Sequence, residues 1–316
     1  GIFGMRLRVQ VAVAFLVSAS LCGFSQSRPR AAWNIRWEPR RVVNGSAVLF
    51  RVTAPATLTA LRGSWSGHEI SFRFEKGCKC WYAIAGVSLD ARGGKYPLQL
   101  QGVEPGAADL RFASEVPVVA KHYPTTTISV APEYVQPPKE VEARIEEEQA
   151  LKKKVFSEIA PDSAWDSRFL APVDSNITAV FGSSRTYNGI KKSSHLGLDF
   201  HATVGTTVRA ANRGTVILAR NLYFEGNCVF IDHGQGLLTM YFHLSEINVK
   251  EGEKVESGTI LGLSGNTGRV TAPHLHFAVR WQGVYLDPQT LLALHPPPSA
   301  RATGRRDFGA AAIRSR

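Results

Sequence analysis

Apolar residues in this chain arrive in short runs, and glycine or proline cuts nearly every run before it could complete a helix. Residues 34–120 carry AVLFRV, LTALRG, ISFRF, WYAIAGVSL, YPLQLQ and LRFASEVPVV, broken at Gly45, Pro55, Gly63, Gly77, Gly93, Gly94 and Gly106. From 165 to 292 the same habit returns with denser glycine, in TTVRAANRGTVILARNL, NCVFIDHGQGLLTMYFHLS, INVKEGEKVESGTILGLSG and HLHFAVRW. Alternation with period two sends one set of side chains into a core and the other into water. A chain so punctuated is built mainly from β-strands.

The spacing of the first set suits an antiparallel sandwich, and residues 34–120 are expected to form an immunoglobulin-like β-sandwich. The second set, 165–292, is expected to form an antiparallel β-sheet domain closed on itself or sandwiched. Between them, 121–160 divides into a Thr- and Pro-rich extended linker and one helix. KEVEARIEEEQALKKKVF (139–156) follows Pro138, with glutamates in its first half and lysines in its last turns. That order complements the helix dipole. Its charges are expected to form a solvated face, while Val141, Ile145 and Val155 pack on a neighbour. After 296 periodicity is lost, and 296–316 is expected to be a flexible basic tail.

A length of 316 residues suffices for two modest cores. The 44% hydrophobic and 20% charged content excludes a disordered chain. The formal charge of +11 points to anionic partners of some kind. No nucleic-acid-binding motif accompanies it, so nucleic acid is not expected. Near the start, Met5-Arg6-Leu7-Arg8 precedes the apolar run VQVAVAFLVSASLCGF, the layout of a signal peptide over 1–27. Export to the periplasm or cell envelope follows. Cys22 offers a point of membrane attachment through lipidation, but Leu21 is bulkier than that processing prefers, so simple cleavage is favoured. Cys78 and Cys80 are read as half-buried thiols, because two cysteines two apart on a strand bridge only under strain.

Two segments carry the chemistry. In PHLHF (273–277), read as a strand, His274 and His276 share one face while Leu275 and Phe277 take the other. In HLGLDF (195–200), His195 and Asp199 are four apart and share a face if the segment is strand, with Gly197 leaving that face uncrowded. Two nitrogens, a carboxylate and an open position make the donor set of a hydrolytic zinc site. His243 closes the alternating run TMYFHLS, with Met240 and Phe242 expected on the opposite face, and is a fifth candidate. A histidine beside such a site can orient water or carry its proton. His233, in IDHG, is read as structural, and His201 has no evident role.

These motifs resemble peptidase family M23, the LytM- and lysostaphin-like zinc metallopeptidases that cut cell-wall peptides. The resemblance rests on His195-x-x-x-Asp199, on Pro273-His274-x-His276, on 226–245 with His243, and on 205–216, 249–269 and YLDP (285–288). It implies that His195, Asp199 and His276 hold Zn2+, that His243 and His274 flank the activated water, and that Tyr187 helps polarise the substrate. The implied function is a zinc endopeptidase that hydrolyses peptide bonds in peptidoglycan stem peptides or cross-bridges. The earlier half is similar to the immunoglobulin-like module attached to some of these peptidases. One departure is Ala272, where relatives usually carry glycine; a positive φ there would strain the backbone by about 1 kcal/mol.

Two rivals come from other classes. Some members of this fold have lost metal ligands and bind and activate a cell-wall amidase instead, but here no ligand is missing. KEGEKVESGTILG also echoes biotinyl and lipoyl carrier modules, which need an exposed lysine in a tight hairpin that this chain does not show.

Overall fold

The runs of the first half become β1 (Asn34–Glu38), β2 (Val42–Val43), β3 (Ala47–Thr53), β4 (Ala60–Trp65), β5 (His68–Ser71), β6 (Arg73–Glu75), β7 (Cys80–Gly86), β8 (Gly94–Val103) and β9 (Leu110–Val119). They belong to a computed structural model that describes residues 32–158, 160–189 and 191–298. The expected signal peptide, Cys22 and nearly all of the basic tail lie outside the described residues. The strands form two sheets, of order β1-β3-β7-β6 and β2-β9-β8-β4-β5. Phe50 of the first meets Trp65 of the second edge-on at 5.1 Å, both nearly inaccessible to solvent, so the apolar faces pack against each other.

Strand β7 is buried along its whole length, which a sandwich strand with one wet face would not be. Its second face meets the C-terminal half. Tyr82 packs edge-on to Trp165 at 5.7 Å, and Arg73 lies 4.5 Å over the Trp165 ring while donating to the Trp165 carbonyl at 2.9 Å. A Cβ on Gly86 would come within 2.5 Å of Leu286, so glycine lets the two halves touch. One hydrophobic cluster therefore runs through both.

Cys78 and Cys80 are not separate thiols but a disulfide. An extended strand would hold residues two apart at about 6.6 Å. Here Cys78 lies in the turn after β6 and Cys80 opens β7, and between them Lys79 takes φ 48° so that the Cα atoms approach to 5.2 Å.

The linker is not merely extended. It supplies β10 (Thr125–Ile128), which is followed by a 3-10 turn at Pro132–Tyr134 and by α1 (Lys139–Ser157). Of the three apolar residues expected to pack, Val155 does so, with Leu151 and Phe156; Val141 and Ile145 are half-buried. The charged residues are not simply solvated. Arg144, Glu148 and Lys152, four apart, form one stripe. They bond to Asn221 Oδ1 (2.8 Å), the Tyr223 N–H (2.8 Å) and Glu225 Oε1 (2.6 Å), which stitches the helix to one hairpin turn.

The remaining strands are β11 (Ile177–Ala179), β12 (Ser184–Tyr187), β13 (Lys191–Ser194), β14 (Leu198–His201), β15 (Thr207–Arg209) and β16 (Gly214–Leu222). After them come β17 (Gly226–Asp232), β18 (Leu237–Ile247), β19 (Lys254–Val255), β20 (Ile260–Ser264), β21 (His274–Trp281), β22 (Val284–Leu286) and α2 (Pro288–Ala293). The main sheet runs β11-β14-β21-β18-β17-β16-β19, with β22 beside β21 and β20 bridging β18 to β15. A small sheet, β10-β12-β13, stands apart from it, with β10 parallel to β12. The linker strand thus walls the space in front of β14 and β21. As expected, the chain is mainly β.

Candidate active site

Three neighbouring strands bring the chemistry together. In β21 the expected alternation holds: His274 and His276 are half-buried on the groove side, while Leu275 and Phe277 are sealed in the core. Asp199 on β14 pairs with His276, and Phe242 on β18 pairs with His276 from the other side. His195 does not share a strand with Asp199, because β14 begins only at Leu198. Backbone bonds to Gly182 and Ser183, both 2.8 Å, clamp His195 in the preceding bend. Gly197 allows this: a Cβ there would lie 2.4 Å from His276 Nε2 and 2.7 Å from the Phe277 carbonyl.

His195 Nε2, Asp199 Oδ1 and His276 Nδ1 form a triangle with sides of 2.9, 2.8 and 3.1 Å. The His195 Nδ1 lies 2.8 Å from the Val180 carbonyl, which can only accept. In the neutral ring that nitrogen carries the hydrogen, and Nε2 turns a lone pair to the triangle. Even if His276 donates through Nδ1, one hydrogen cannot serve three contacts. A tetrahedral ion with bonds of about 2.0–2.1 Å needs its donors roughly 3.3 Å apart, a few tenths more than these sides. The donor set therefore fits a divalent cation of the zinc type, and all three residues line the groove.

The electrostatics agree. Burial alone pushes the Asp199 carboxyl up, but hydrogen bonds and charge from His195 and His276 outweigh it and hold the carboxyl well below the usual range. Burial pushes His276 down to about 4, so its ring is neutral at neutral pH. Asp199 turns its second oxygen to Arg185, 2.7 Å away, which leaves one oxygen for an ion.

Two histidines flank the triangle. His274 Nδ1 is 2.7 Å from the Ala272 carbonyl, and its Nε2 is 3.7 Å from Asp199 Oδ1. His243 Nδ1 is 2.8 Å from the Thr267 carbonyl, and its ring is 4.9 Å from that of His274. A carbonyl can only accept, so Nδ1 is the donor in both rings and Nε2 is the nitrogen left over. Burial, then the nearby His274 and His276, hold His243 well below its ordinary value.

Met240 and Phe242 are not on the face opposite His243; all three line the groove. His243 has φ 64°, and the β17–β18 register shifts between Tyr241 and Leu244, so an extra residue bulges from the strand there. Phe242 uses the bulge to stack on His276 at 5.0 Å. Ala272 is not in the left-handed region, so no strain arises there.

The groove measures ≈1020 Å3. Tyr187 lies on its wall, nearly buried, beneath the guanidinium of Arg269. Arg185 was not singled out from the sequence, although it stands two residues from Tyr187 on β12 and so shares its face. Arg269, Lys152 of α1 and Glu225 were also missed, and all three line the groove. His201 is exposed at its rim. His233 is fully buried and ends a chain of hydrogen bonds from the Ala211 N–H through Tyr241 and Thr239, while its Nδ1 donates to the Arg213 carbonyl. Its role is to hold that turn.

Residues 193–288 match the family described as Peptidase family M23. The peptidoglycan DD-endopeptidase ShyA of Vibrio cholerae serotype O1 is 45% identical over 115 residues, which is 35% of this chain and 27% of that protein. The glycyl-glycine endopeptidase ALE-1 of Staphylococcus capitis is 45% identical over 91 residues, 28% of this chain and 25% of that protein. The chain thus spans about a quarter of the length of these relatives. A crystal structure from Pseudomonas aeruginosa, provisionally assigned to M23 peptidases, is 28% identical with a TM-score of 0.59, covering 79% of this chain and 94% of that one.

Proposed function

We propose that this chain, which carries a peptidase family M23 domain over residues 193–288, is an exported zinc endopeptidase that hydrolyses peptide bonds in peptidoglycan stem peptides or cross-bridges. The observation that supports this reading most is the triangle of His195, Asp199 and His276, whose three acceptor atoms face one point beside two further histidines. In this reading His195, Asp199 and His276 are the zinc ligands. When bound, zinc supplies a Lewis acid that polarises a carbonyl and makes water nucleophilic near neutral pH.

The chain's own groups handle the proton. His243 and His274 spend Nδ1 on the Thr267 and Ala272 carbonyls, which aims Nε2 at the reacting centre. From there they take the proton that attacking water gives up and pass it to the leaving amine. Tyr187, on the groove wall, helps polarise the scissile carbonyl. Arg185 holds Asp199 in the orientation that presents a single oxygen. The sheets of 34–120 form a supporting module, and 165–292 forms the catalytic one. Residues 1–27 direct export to the envelope, where peptidoglycan lies.

Elemental analysis of the purified protein, paired with His276→Ala and His274→Ala variants, tests the assignment. The account predicts about one zinc per wild-type chain. His276→Ala should lose metal and cleavage together, while His274→Ala should keep metal and lose cleavage. Zinc bound with no cleavage of any peptidoglycan would instead favour an amidase regulator.

A further inference from the structure

Arg269 occupies the groove in an unusual state for a half-buried arginine. Its guanidinium carbon lies 4.7 Å from the centre of the Tyr187 ring and 5.0 Å from that of Phe224. Its backbone N–H is tied to the Phe224 carbonyl at 2.9 Å, so the residue is anchored at both ends. Ring faces offset part of the cost of burying a positive charge, but they leave the guanidinium N–H donors free. Among the described residues no carboxylate pairs with Arg269, and no hydrogen bond from its side chain is present.

The other cations of the groove among the described residues are already paired, although Glu225 keeps its second oxygen, Oε2, buried and without a partner. Lys152 Nζ is 2.6 Å from Glu225 Oε1, and Arg185 is 2.7 Å from Asp199. Asp199 in turn faces the metal position. Among the described residues Arg269 is thus the cation of this groove left with unspent donors, held against the wall that also carries Tyr187. A fixed, partly desolvated guanidinium with free donors binds a carboxylate in two-pronged fashion, and it does so better than water-exposed arginine or any lysine.

We infer that Arg269 is a specificity-determining residue that grips a free carboxylate on the peptide substrate, and that the chain prefers anionic stem peptides to uncharged bridges such as oligoglycine. This rests on the peptidase reading above. A neutral substrate would leave the half-buried guanidinium without its partner, which penalises it beyond the lost attraction.

The test compares synthetic cross-linked tetrapeptide dimers with free carboxylates against the same dimers amidated, using zinc-loaded full-length protein. The wild type should favour the free form by about tenfold or more in kcat/KM, the worth of one charge-assisted pair. In Arg269→Gln that ratio should fall to near one, and Arg269→Lys should restore only part of it. A wild-type ratio near one, or a preference that persists in Arg269→Gln, overturns the inference. A binding arm needs no turnover: calorimetry with the uncross-linked tetrapeptide, free or amidated, should show the same ratio and the same dependence on Arg269. If no dimer is cleaved yet binding shows that dependence, the peptidase reading fails while the grip of Arg269 on a peptide carboxylate stands. Equal binding of both forms refutes it regardless of cleavage.

Discussion

Gly197→Ala isolates the dependence of the metal position on one absent methyl group. The added Cβ would lie 2.4 Å from His276 Nε2, 2.5 Å from its Cε1 and 2.7 Å from the Phe277 carbonyl oxygen. Ordinary contact begins near 3.4 Å, so the ring must retreat by about 1 Å or the β14–β21 pairing must open. The carbonyl belongs to the sheet backbone and yields least, so most of the displacement falls on His276. Overpacking of this kind costs about 1–3 kcal/mol of stability, less than the roughly 5–15 kcal/mol by which folded proteins are stable. A ligand moved by 1 Å exceeds the roughly 0.5 Å tolerance of a functional site. Zinc affinity should therefore fall by about 10- to 100-fold, the range seen when a ligand's support is disturbed. Competition against a chromogenic chelator reads the affinity, and urea unfolding of the metal-free protein reads the stability. Unchanged zinc affinity in a folded variant would refute the claim that His276 and Gly197 are packed as described.

Other perturbations have defined outcomes. His243→Ala should leave zinc content intact and slow peptidoglycan cleavage by about 10²–10⁴-fold, as for loss of a general acid–base group; loss of zinc would make it a ligand instead. Burial depresses His233 from its ordinary 6.5 to about 4. Between these values the unfolded chain binds the extra proton, so stability present at pH 7 should decline by about 3 kcal/mol as pH falls to 4. Urea titrations at several pH values should show this component vanish in His233→Gln. Phe156 stacks on Phe230 at 5.9 Å and lies under Arg280 at 4.1 Å. Because it is only half-buried, Phe156→Ala should cost about 2 kcal/mol, less than a core deletion, and should raise hydrogen exchange in α1 without altering zinc content.

Much of this architecture was legible because period two is a strong signal. HLHFAVRW reads as a strand with both histidines on one face, and it is one. The helix at 139–156 was legible from its proline start and charge order. What escaped detection depends on contacts distant in sequence or on backbone states that composition does not encode. His243 reaches the groove through a left-handed bulge that alternation places wrongly. Cys78 and Cys80 join because Lys79 turns the chain. The linker strand β10 gains its ladder from β12, some sixty residues away, and nothing local in TTTI demands it. Arg144, Glu148 and Lys152 read as a solvated face because their partners, Asn221 to Glu225, lie on a distant hairpin. Arg185 was within reach, since a charged residue two before a groove tyrosine on a strand must face the same way.

The central claim is that His195, Asp199 and His276 equip this groove to break peptide bonds in peptidoglycan. The most direct measurement is mass spectrometry of the products released from purified, cross-linked peptidoglycan by the zinc-loaded protein, before and after chelation. The account predicts that cross-linked dimers are converted to monomers, each broken bond adding one water, and that chelator stops the reaction and added zinc restores it. Cross-links that stay intact with zinc bound, or cleavage that continues in metal-free protein, would contradict it.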